Sequence, residues 1–359
     1  MKILHTEASI GWGGQEMRTL KESLGMIEKG HEVIFAVQRK GGLVSQARKH
    51  GIKVYELQFS KKRCLLLLPE IVSIIRREKI SLVNTHSSVD AWIAGVAARL
   101  CSVPVIRTRH LSTKIKEGLN SYLLYNKLAD FVMTTCQEIV PMIKTQAKLE
   151  SKYVKSVPTG INVAEILEKK SDKNSFRKEY NLSDKDFVIG MVCFMRSWKG
   201  VDDFIDAAHL TRNIPDLKWV IIGGGHQEKY RERAKDLGLT NLTFTGHLEN
   251  PFPAISSIDV FSLLSTAHEG VSQASLQASL FQKPLIATAT GGLKEVCVDQ
   301  KTGIQVPLFS PKKVVEAALK LKGDPALVEK MGKEAKKLVE KKFSYENMLE
   351  QVAGIYENL

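Results

Sequence analysis

Several short segments of this chain combine cations, carboxylates and glycines at spacings suited to an anionic ligand. Phe194-Met195-Arg196-Ser197-Trp198-Lys199-Gly200 sets two cations three residues apart, after an apolar run and before an amphipathic stretch. A diphosphate requires such neutralisation, because charge builds on the leaving group as a phosphate-activated bond breaks. A solvated charge pair would have the same spelling. Thr266-Ala267-His268-Glu269-Gly270-Val271-Ser272-Gln273 offers a carboxylate on a loop and, in Ser272, an N-cap whose following N–H groups would face a ligand. Gln277 lies two helical turns beyond Glu269 and would look the same way along the helix, although a simple cap and a buried glutamine fit the residues too. Gly11-Trp12-Gly13-Gly14-Gln15-Glu16 would let the backbone approach a phosphate at a helix start. It lacks the GxGxxG spacing of a dinucleotide fingerprint, and a tight turn would also use its glycines. Thr290-Gly291-Gly292-Leu293-Lys294-Glu295 repeats the glycine-pair pattern, and Arg107-Thr108-Arg109-His110 brings a lone histidine to a strand end.

The elements that position these loops follow a βαβ rhythm, as expected for parallel sheets covered by helices. In the first half, strands are expected at Lys2–Thr6, Glu32–Gln38, Val54–Leu57, Leu82–Thr85, Val105–Thr108 and Phe131–Thr135. Helices are expected at Gln15–Lys29, from Pro69 towards Lys79, and at Asp90–Leu100, Tyr122–Leu128 and Gln137–Thr145. The pattern breaks around Val157–Ser171 and restarts with strands near Phe187–Cys193, Trp219–Gly223, Leu242–Thr245, Val260–Leu264, Leu285–Thr288 and Ile304–Val306. Two α/β domains joined near 160–172 follow, with ligands expected outside the carboxyl ends of both sheets, along a shared cleft.

At 359 residues and 40.0 kDa the chain is long for one domain. Hydrophobic residues at 43% and charged residues at 25% describe a soluble globular chain and exclude a collagen or a disordered tail. The net charge of +13 is lopsided: residues 1–170 hold 27 basic and 15 acidic residues, whereas 171–359 hold 25 and 24. A basic half suggests an anionic partner, whether nucleic acid, an acidic membrane surface or a phosphorylated ligand, and a general solubility charge would give the same excess. No aromatic–basic module points to nucleic acid. The five scattered cysteines form neither a disulfide framework nor a zinc ribbon. No signal peptide or membrane span is apparent, so a cytoplasmic, reduced setting is expected. Asp184-Lys185-Asp186 has the spelling of a metal-binding DxD, but it precedes a strand within a polar stretch and reads as a turn.

The order of these loops resembles glycosyltransferase family 4, retaining nucleotide-sugar transferases built from two Rossmann-like domains in the GT-B arrangement. The resemblance spans essentially the whole chain. It is carried by Gly13-Gly14-Gln15-Glu16, Gly30-His31-Glu32-Val33, Thr85-His86-Ser87-Ser88 and the run 157–162 (ValProThrGlyIleAsn). In the second half it continues through Trp198-Lys199-Gly200, the runs 221–225 and 244–247, Ser265–Gly270, Pro284–Val296 and Thr302–Pro307. Thr85–Ser88 together with Arg107–His110 look like bacterial lipopolysaccharide or O-antigen sugar transferases. The resemblance implies an acceptor domain over 1–165, a donor domain over 172–342, and a terminal helix over 343–359 packing back towards the first domain.

The resemblance also implies roles. Arg196 and Lys199 would bind the donor diphosphate, assisted by the backbone of Gly270, Val271, Ser272 and Gln273. Glu269 would contact donor sugar hydroxyls, Gln277 the ribose, and Gly246, His247 and Leu248 the base. Gly13 and Gly14 would close over the phosphates, and His110 would stand beside the reacting sugar. The implied reaction is transfer from a nucleotide-sugar to a glycolipid or oligosaccharide, with no divalent metal or other cofactor, at the inner membrane face. Basic stretches of the first domain (Lys61-Lys62-Arg63, Arg76-Arg77, Lys114-Ile115-Lys116) would meet an anionic membrane. Two positions depart from the family pattern. Gln277 stands where a glutamate is usual, costing about 1–2 kcal/mol of donor binding through a lost charge-assisted bond. Phe194 stands where the phosphate-binding arginine is usual, five before the lysine, leaving Arg196 to substitute. These departures leave open a catalytically impaired nucleotide-sugar-binding protein; a sugar-nucleotide epimerase shares the architecture.

Overall fold

A computed structural model describes the chain except for residues 61–63, 111, 113–114, 151–152 and 170–172. The basic residues Lys61, Lys62, Arg63 and Lys114 and part of the 160–172 junction therefore lie outside the described residues. The chain divides into two compact units, Met1–Pro158 with Met348–Leu359, and Thr159–Asn347. The division falls after Pro158, ahead of residue 165, because Ile161 is held by backbone of the later chain: its N–H donates to the Phe343 carbonyl at 2.9 Å, and the Ile161 carbonyl accepts from Tyr345 N–H at 2.9 Å.

The first unit contains seven parallel strands: β1 (Lys2–Glu7), β2 (Glu32–Gln38), β3 (Lys53–Leu57), β4 (Leu82–Thr85), β5 (Val105–Arg109), β6 (Phe131–Thr134) and β7 (Val154–Ser156). Their order is β3-β2-β1-β4-β5-β6-β7. The chain winds one way from β1 and then the other way from β4, so the switch point lies between β1 and β4, where Thr6 is in register with Thr85. The sheet is buried on both faces: apolar Ile3, Leu4 and Val83 lie beside equally buried His5, Thr6 and Asn84 near the carboxyl ends of their strands. Leu4, Ile34, Val83 and Val105 pack against Ile71, Ile74, Ile93, Ala94 and Ala97 of the covering helices. The helix Ser88–Leu100 starts on a capping box in which Asp90 accepts from Ser87 N–H at 2.8 Å.

Two helices differ from expectation. The helix Cys64–Arg77 holds Pro69 inside it rather than in its first turn, at the cost of one backbone hydrogen bond. The 122–128 stretch is a short helix, Leu119–Tyr122, continued as a π-helix over Leu123–Lys127. The terminal helix Tyr345–Glu357 supplies this unit with buried Tyr356, whose hydroxyl donates to Glu22 at 2.7 Å and accepts from Asn84 at 2.8 Å.

The second unit has six parallel strands: β8 (Phe187–Val192), β9 (Leu217–Ile222), β10 (Leu242–Gly246), β11 (Val260–Leu263), β12 (Leu285–Thr288) and β13 (Gly303–Val306). Their order β10-β9-β8-β11-β12-β13 puts the switch point between β8 and β11. Ile189, Met191, Val260 and Ile286 meet Phe204, Ala208 and Leu321 in its core. Buried Trp219 stands edge-on to Phe204 at 4.9 Å and satisfies its indole N–H on Thr211 at 2.9 Å. Asp184–Asp186 is a turn, closed by Ser183 N–H on the Asp186 carboxylate at 2.6 Å.

Candidate active site

Both switch points carry clustered polar side chains, and each is described within its own unit. In the second unit the chain leaves β8 extended. Met195 N–H donates to the Gly224 carbonyl at 2.8 Å, and the Met195 carbonyl accepts from His226 N–H at 3.2 Å. A single 3-10 turn, Ser197–Lys199, follows, and Gly200 takes φ +70° to begin the helix Val201–Leu210. A Cβ on Gly200 would lie 2.1 Å from the Leu264 carbonyl oxygen, so only glycine lets this loop press against the end of β11. That close approach, together with Thr266 N–H donating to the Trp198 carbonyl at 2.8 Å, brings the two loops of the switch point together.

Lys199 Nζ consequently meets both carboxylate oxygens of Glu269, at 2.9 and 2.8 Å. Glu269 is only 5% exposed, and the Lys199 side chain 21%. The Glu269 backbone carbonyl accepts from Gly292 N–H at 3.1 Å. A Cβ on Gly292 would fall 2.4 Å from Val271 N, so the glycine pair after β12 seats itself under the Glu269 loop. Val271 is buried, and Ser272 caps the helix Gln273–Leu280, its hydroxyl accepting from Ser275 N–H at 3.4 Å. Gly270, Gln273 and Gln277 are half-buried along this path.

Arg196 does not join the ion pair. Its guanidinium lies over the rings of Phe194, at 5.1 Å, and Trp198, at 5.2 Å. Trp198 in turn stands edge-on to His268 at 5.3 Å. Phe194, the departure from the family pattern, is 57% exposed and forms one wall of a pocket of about 560 Å³, which His226, Lys229 and Tyr230 also line. The aromatic faces hold the guanidinium in place through its attraction to their π systems. Gly246 and His247 border the neighbouring loop, where Gly223 N–H donates to the Gly246 carbonyl at 2.9 Å, and half-buried Leu248 follows. Burial pushes the Cys193 thiol up to about 12, so it is neutral and no nucleophile.

In the first unit, Gly13 and Gly14 open the helix Gly14–Glu28, and Gly13 N–H is already given to the Glu16 carboxylate at 2.8 Å. His110 follows β5 directly. It is not a lone histidine. Its Nε2 lies 2.9 Å from His86 Nδ1, and His86 Nε2 lies 2.9 Å from His5 Nδ1. The rings of His5 and His86 stack at 5.2 Å. Burial, assisted at His86 and His110 by the nearby Arg107 and Arg18 charges, holds all three below the usual imidazole range, His5 down to about 3. Beside them Asp90 is pushed up to about 7 by burial and by the neighbouring Glu7. It accepts from Thr6 Oγ1 at 2.8 Å and His86 N–H at 2.9 Å.

His5, His86, Glu7 and Asp90 were not among the residues expected from sequence. His86 lay inside the Thr85–Ser88 motif, the one available signal. Its adjacency to His5 depends on β1 and β4 being neighbours across the switch point, which local spelling does not encode. Among the described residues, no group of three or more His, Cys, Asp or Glu is disposed to hold a metal ion. No described helix is long and apolar enough to cross a membrane.

Comparison with known proteins agrees with this architecture. Residues 12–165 match the family described as Glycosyltransferase Family 4, and residues 172–338 that described as Glycosyl transferases group 1. The alpha-D-kanosaminyltransferase of Streptomyces kanamyceticus is 26% identical over 311 residues, covering 79% of each chain. The capsular polysaccharide biosynthesis glycosyltransferase CapM of Staphylococcus aureus is 26% identical over 312 residues, covering 83% of this chain and 81% of CapM. The crystal structure of Anabaena HepE in complex with UDP aligns over 100% of both chains with a TM-score of 0.88 at 19% identity. With both halves matched in order and two Rossmann-like sheets in place, the chain belongs to the family 4 glycosyltransferases, enzymes of the GT-B fold.

Proposed function

We propose that this glycosyltransferase moves a sugar from a nucleotide-sugar, with retention at the anomeric carbon, to a hydroxyl of a glycolipid or polysaccharide in cell-surface glycan synthesis, of the lipopolysaccharide or O-antigen kind. The observation that carries the reading is the Lys199–Glu269 pair at the β8/β11 switch point. A buried carboxylate that binds an ammonium through both oxygens keeps that cation poised for a dianionic group, while itself accepting from sugar hydroxyls. The UDP bound by HepE and the polysaccharide made by CapM's pathway support a nucleotide-sugar donor and a surface-glycan product.

In this reading Lys199 and Arg196 neutralise the diphosphate as the bond from the anomeric carbon to its oxygen breaks. The acceptor oxygen bonds to that carbon on the face being vacated, and the acceptor's proton passes to the leaving phosphate oxygen. The products are a nucleoside diphosphate and a glycoside. The two cations supply the neutralisation that a divalent metal would otherwise give. The basic first half, Arg76 and Arg77 included, favours work at an anionic inner membrane face.

The test is a thermal-shift panel of nucleotides and nucleotide-sugars, followed by transfer from the stabilising donor to a lipid-linked oligosaccharide. A shift of several degrees with one nucleotide class and acceptor-dependent release of the nucleoside diphosphate are expected. No shift with any member refutes the donor site. A shift without turnover favours the second reading, a nucleotide-sugar-binding protein of impaired catalysis, which rests on Phe194 and Gln277. Turnover without any acceptor would indicate an epimerase.

A further inference from the structure

The imidazoles of His5, His86 and His110 form an unbroken chain from the core of the first unit to a residue that retains 9% of its surface. Each imidazole nitrogen is either a donor or an acceptor, so the chain has a direction, and two features of its surroundings favour one sense. The Thr19 hydroxyl lies 3.5 Å from His86 Nδ1, while its single proton is given to the Gln15 carbonyl at 3.0 Å. With that proton engaged, Thr19 turns only a lone pair towards His86 Nδ1, which favours a proton on that nitrogen. His86 Nε2 is then bare and accepts from His5 Nδ1–H. That leaves His5 Nε2 bare as well, and this atom is buried without a partner. An unpaired buried acceptor is the less rare orphan of the two, so the opposite polarity, which would bury an unpaired His5 Nε2–H, is the less favoured independently of Thr19.

We infer that His5 and His86 are positioning residues that lock His110 as a neutral Nδ1–H tautomer, making it a fixed hydrogen-bond donor to a ligand oxygen and barring it from acting as a base through Nε2. His110 Nε2 is occupied as the acceptor of His86 Nδ1–H, and its Nδ1 has no partner among the described residues. The inference deepens the proposed function and rests on it for the identity of the ligand, with His110 beside the reacting sugar as the family resemblance implies. The charged groups facing the chain are Arg18 on the first helix, Arg107 on β5, and Glu7 and Asp90 beside the switch point. The two arginines oppose an added proton on any of the imidazoles. A directed donor suits transfer in which the leaving phosphate takes the acceptor's proton, because no protein base is then needed near the sugar.

The test reads the tautomers directly. Protein labelled with ¹⁵N on the histidine rings is examined by long-range proton–nitrogen correlation between pH 6 and 8, with signals assigned through His5→Asn, His86→Gln and His110→Gln. Three neutral rings protonated at Nδ1 are expected, unchanged across that range. An Nε2–H form of His86 or His110, or an imidazolium signal from either, overturns the inference whatever the enzyme's activity.

Kinetics provide the second arm. His5→Asn keeps an N–H where His5 Nδ1–H stood and is expected to retain both the tautomers and turnover. His5→Leu removes it and frees His86 to reverse. A mixed His110 tautomer and a fall in kcat of about tenfold at unchanged donor KM are expected, the size of one misdirected hydrogen bond. Equal loss in both variants would mean a packing role and would refute the positioning role. If no donor is ever turned over, the function reading fails while the tautomer result still stands or falls alone.

Discussion

The two sheets reverse direction in the same way, yet their switch points are furnished oppositely. At β8/β11 a lysine faces a glutamate through two short contacts, with an arginine held between aromatic rings nearby. At β1/β4 three imidazoles are kept neutral by burial, and the acidic neighbours Glu7 and Asp90 are both shifted towards their protonated forms. The first arrangement stores charge for an anion. The second keeps its imidazoles neutral beside the Arg18 and Arg107 charges. A fold that places ligands at switch points thus accommodates either electrostatics or oriented dipoles, depending on what the strand ends carry.

The largest expected effect breaks the charged side. If Lys199 has the proposed diphosphate role, Lys199→Ala should lower kcat/KM by about 10²–10³-fold, because it would remove a donor aimed at charge that develops on the leaving group. The measurement is nucleoside diphosphate release with the stabilising donor and its acceptor. Near-normal activity would remove Lys199 from the phosphate site and with it the difference between the two switch points.

Glu269→Gln separates binding from turnover. Lys199 must loosen its hold on Glu269 to engage a diphosphate, so neutralising the carboxylate should tighten nucleoside diphosphate binding several-fold while kcat falls about tenfold or more. Calorimetric titration of the nucleotide beside steady-state rates checks this. Parallel losses in both would mean that Glu269 acts mainly by placing the loop.

How far the residues alone announced these sites differs between the two halves. Arg196, Lys199, Glu269 and Ser272 are adjacent to glycines and strand ends, and their chemistry is local enough to read from spelling. The βαβ rhythm likewise made both parallel sheets legible. The histidine chain was not legible, because His5, His86 and His110 are separated by 81 and 24 positions and meet only through strand order. Arg196 was expected at the diphosphate directly. Its seat between Phe194 and Trp198 follows from the extended pairing of Met195 with the Gly225 segment, a tertiary feature. Pro69 misled because a proline at a helix start and one inside a helix have the same local sequence.

Gln277→Glu and Phe194→Ala sharpen the charged side by smaller steps. A glutamate at 277 would accept two ribose hydroxyls, and donor KM should fall about tenfold, the value of a charge-assisted bond over a neutral one. Phe194→Ala removes one of the two rings under Arg196, so donor KM should rise about two- to fivefold, in proportion to one exposed cation–π contact. Phe194→Trp should preserve it. If Phe194→Ala instead lowers KM, the ring restrains Arg196 away from the ligand, and the pocket it lines is a barrier to binding.

The smallest effect is expected on stability and belongs to the neutral side. His5 sits near 3 in the folded unit against an ordinary value of 6.5, so the unfolded chain binds the extra proton between those limits. Its contribution to stability is therefore complete above pH 6.5 and is lost as pH falls towards 3. Asp90 has the opposite sign: raised to about 7 from 3.8, it favours the folded state below pH 3.8, and that benefit is lost as pH rises towards 7. Asp90, Glu7 and Glu22, all raised by burial, oppose the imidazoles between pH 4.5 and 6. His5 is therefore isolated by comparing the pH slope of stability over that range in the native chain with that of a variant lacking it. His5→Leu should lower that slope by up to about 1.4 kcal/mol per pH unit, the value of one proton. Urea midpoints at pH 4.5, 5.25 and 6 measure it. A slope identical to that of the native chain would show that His5 is protonated in both states, and a charged His5 would donate from both nitrogens, ending the contrast between a charged and a neutral switch point.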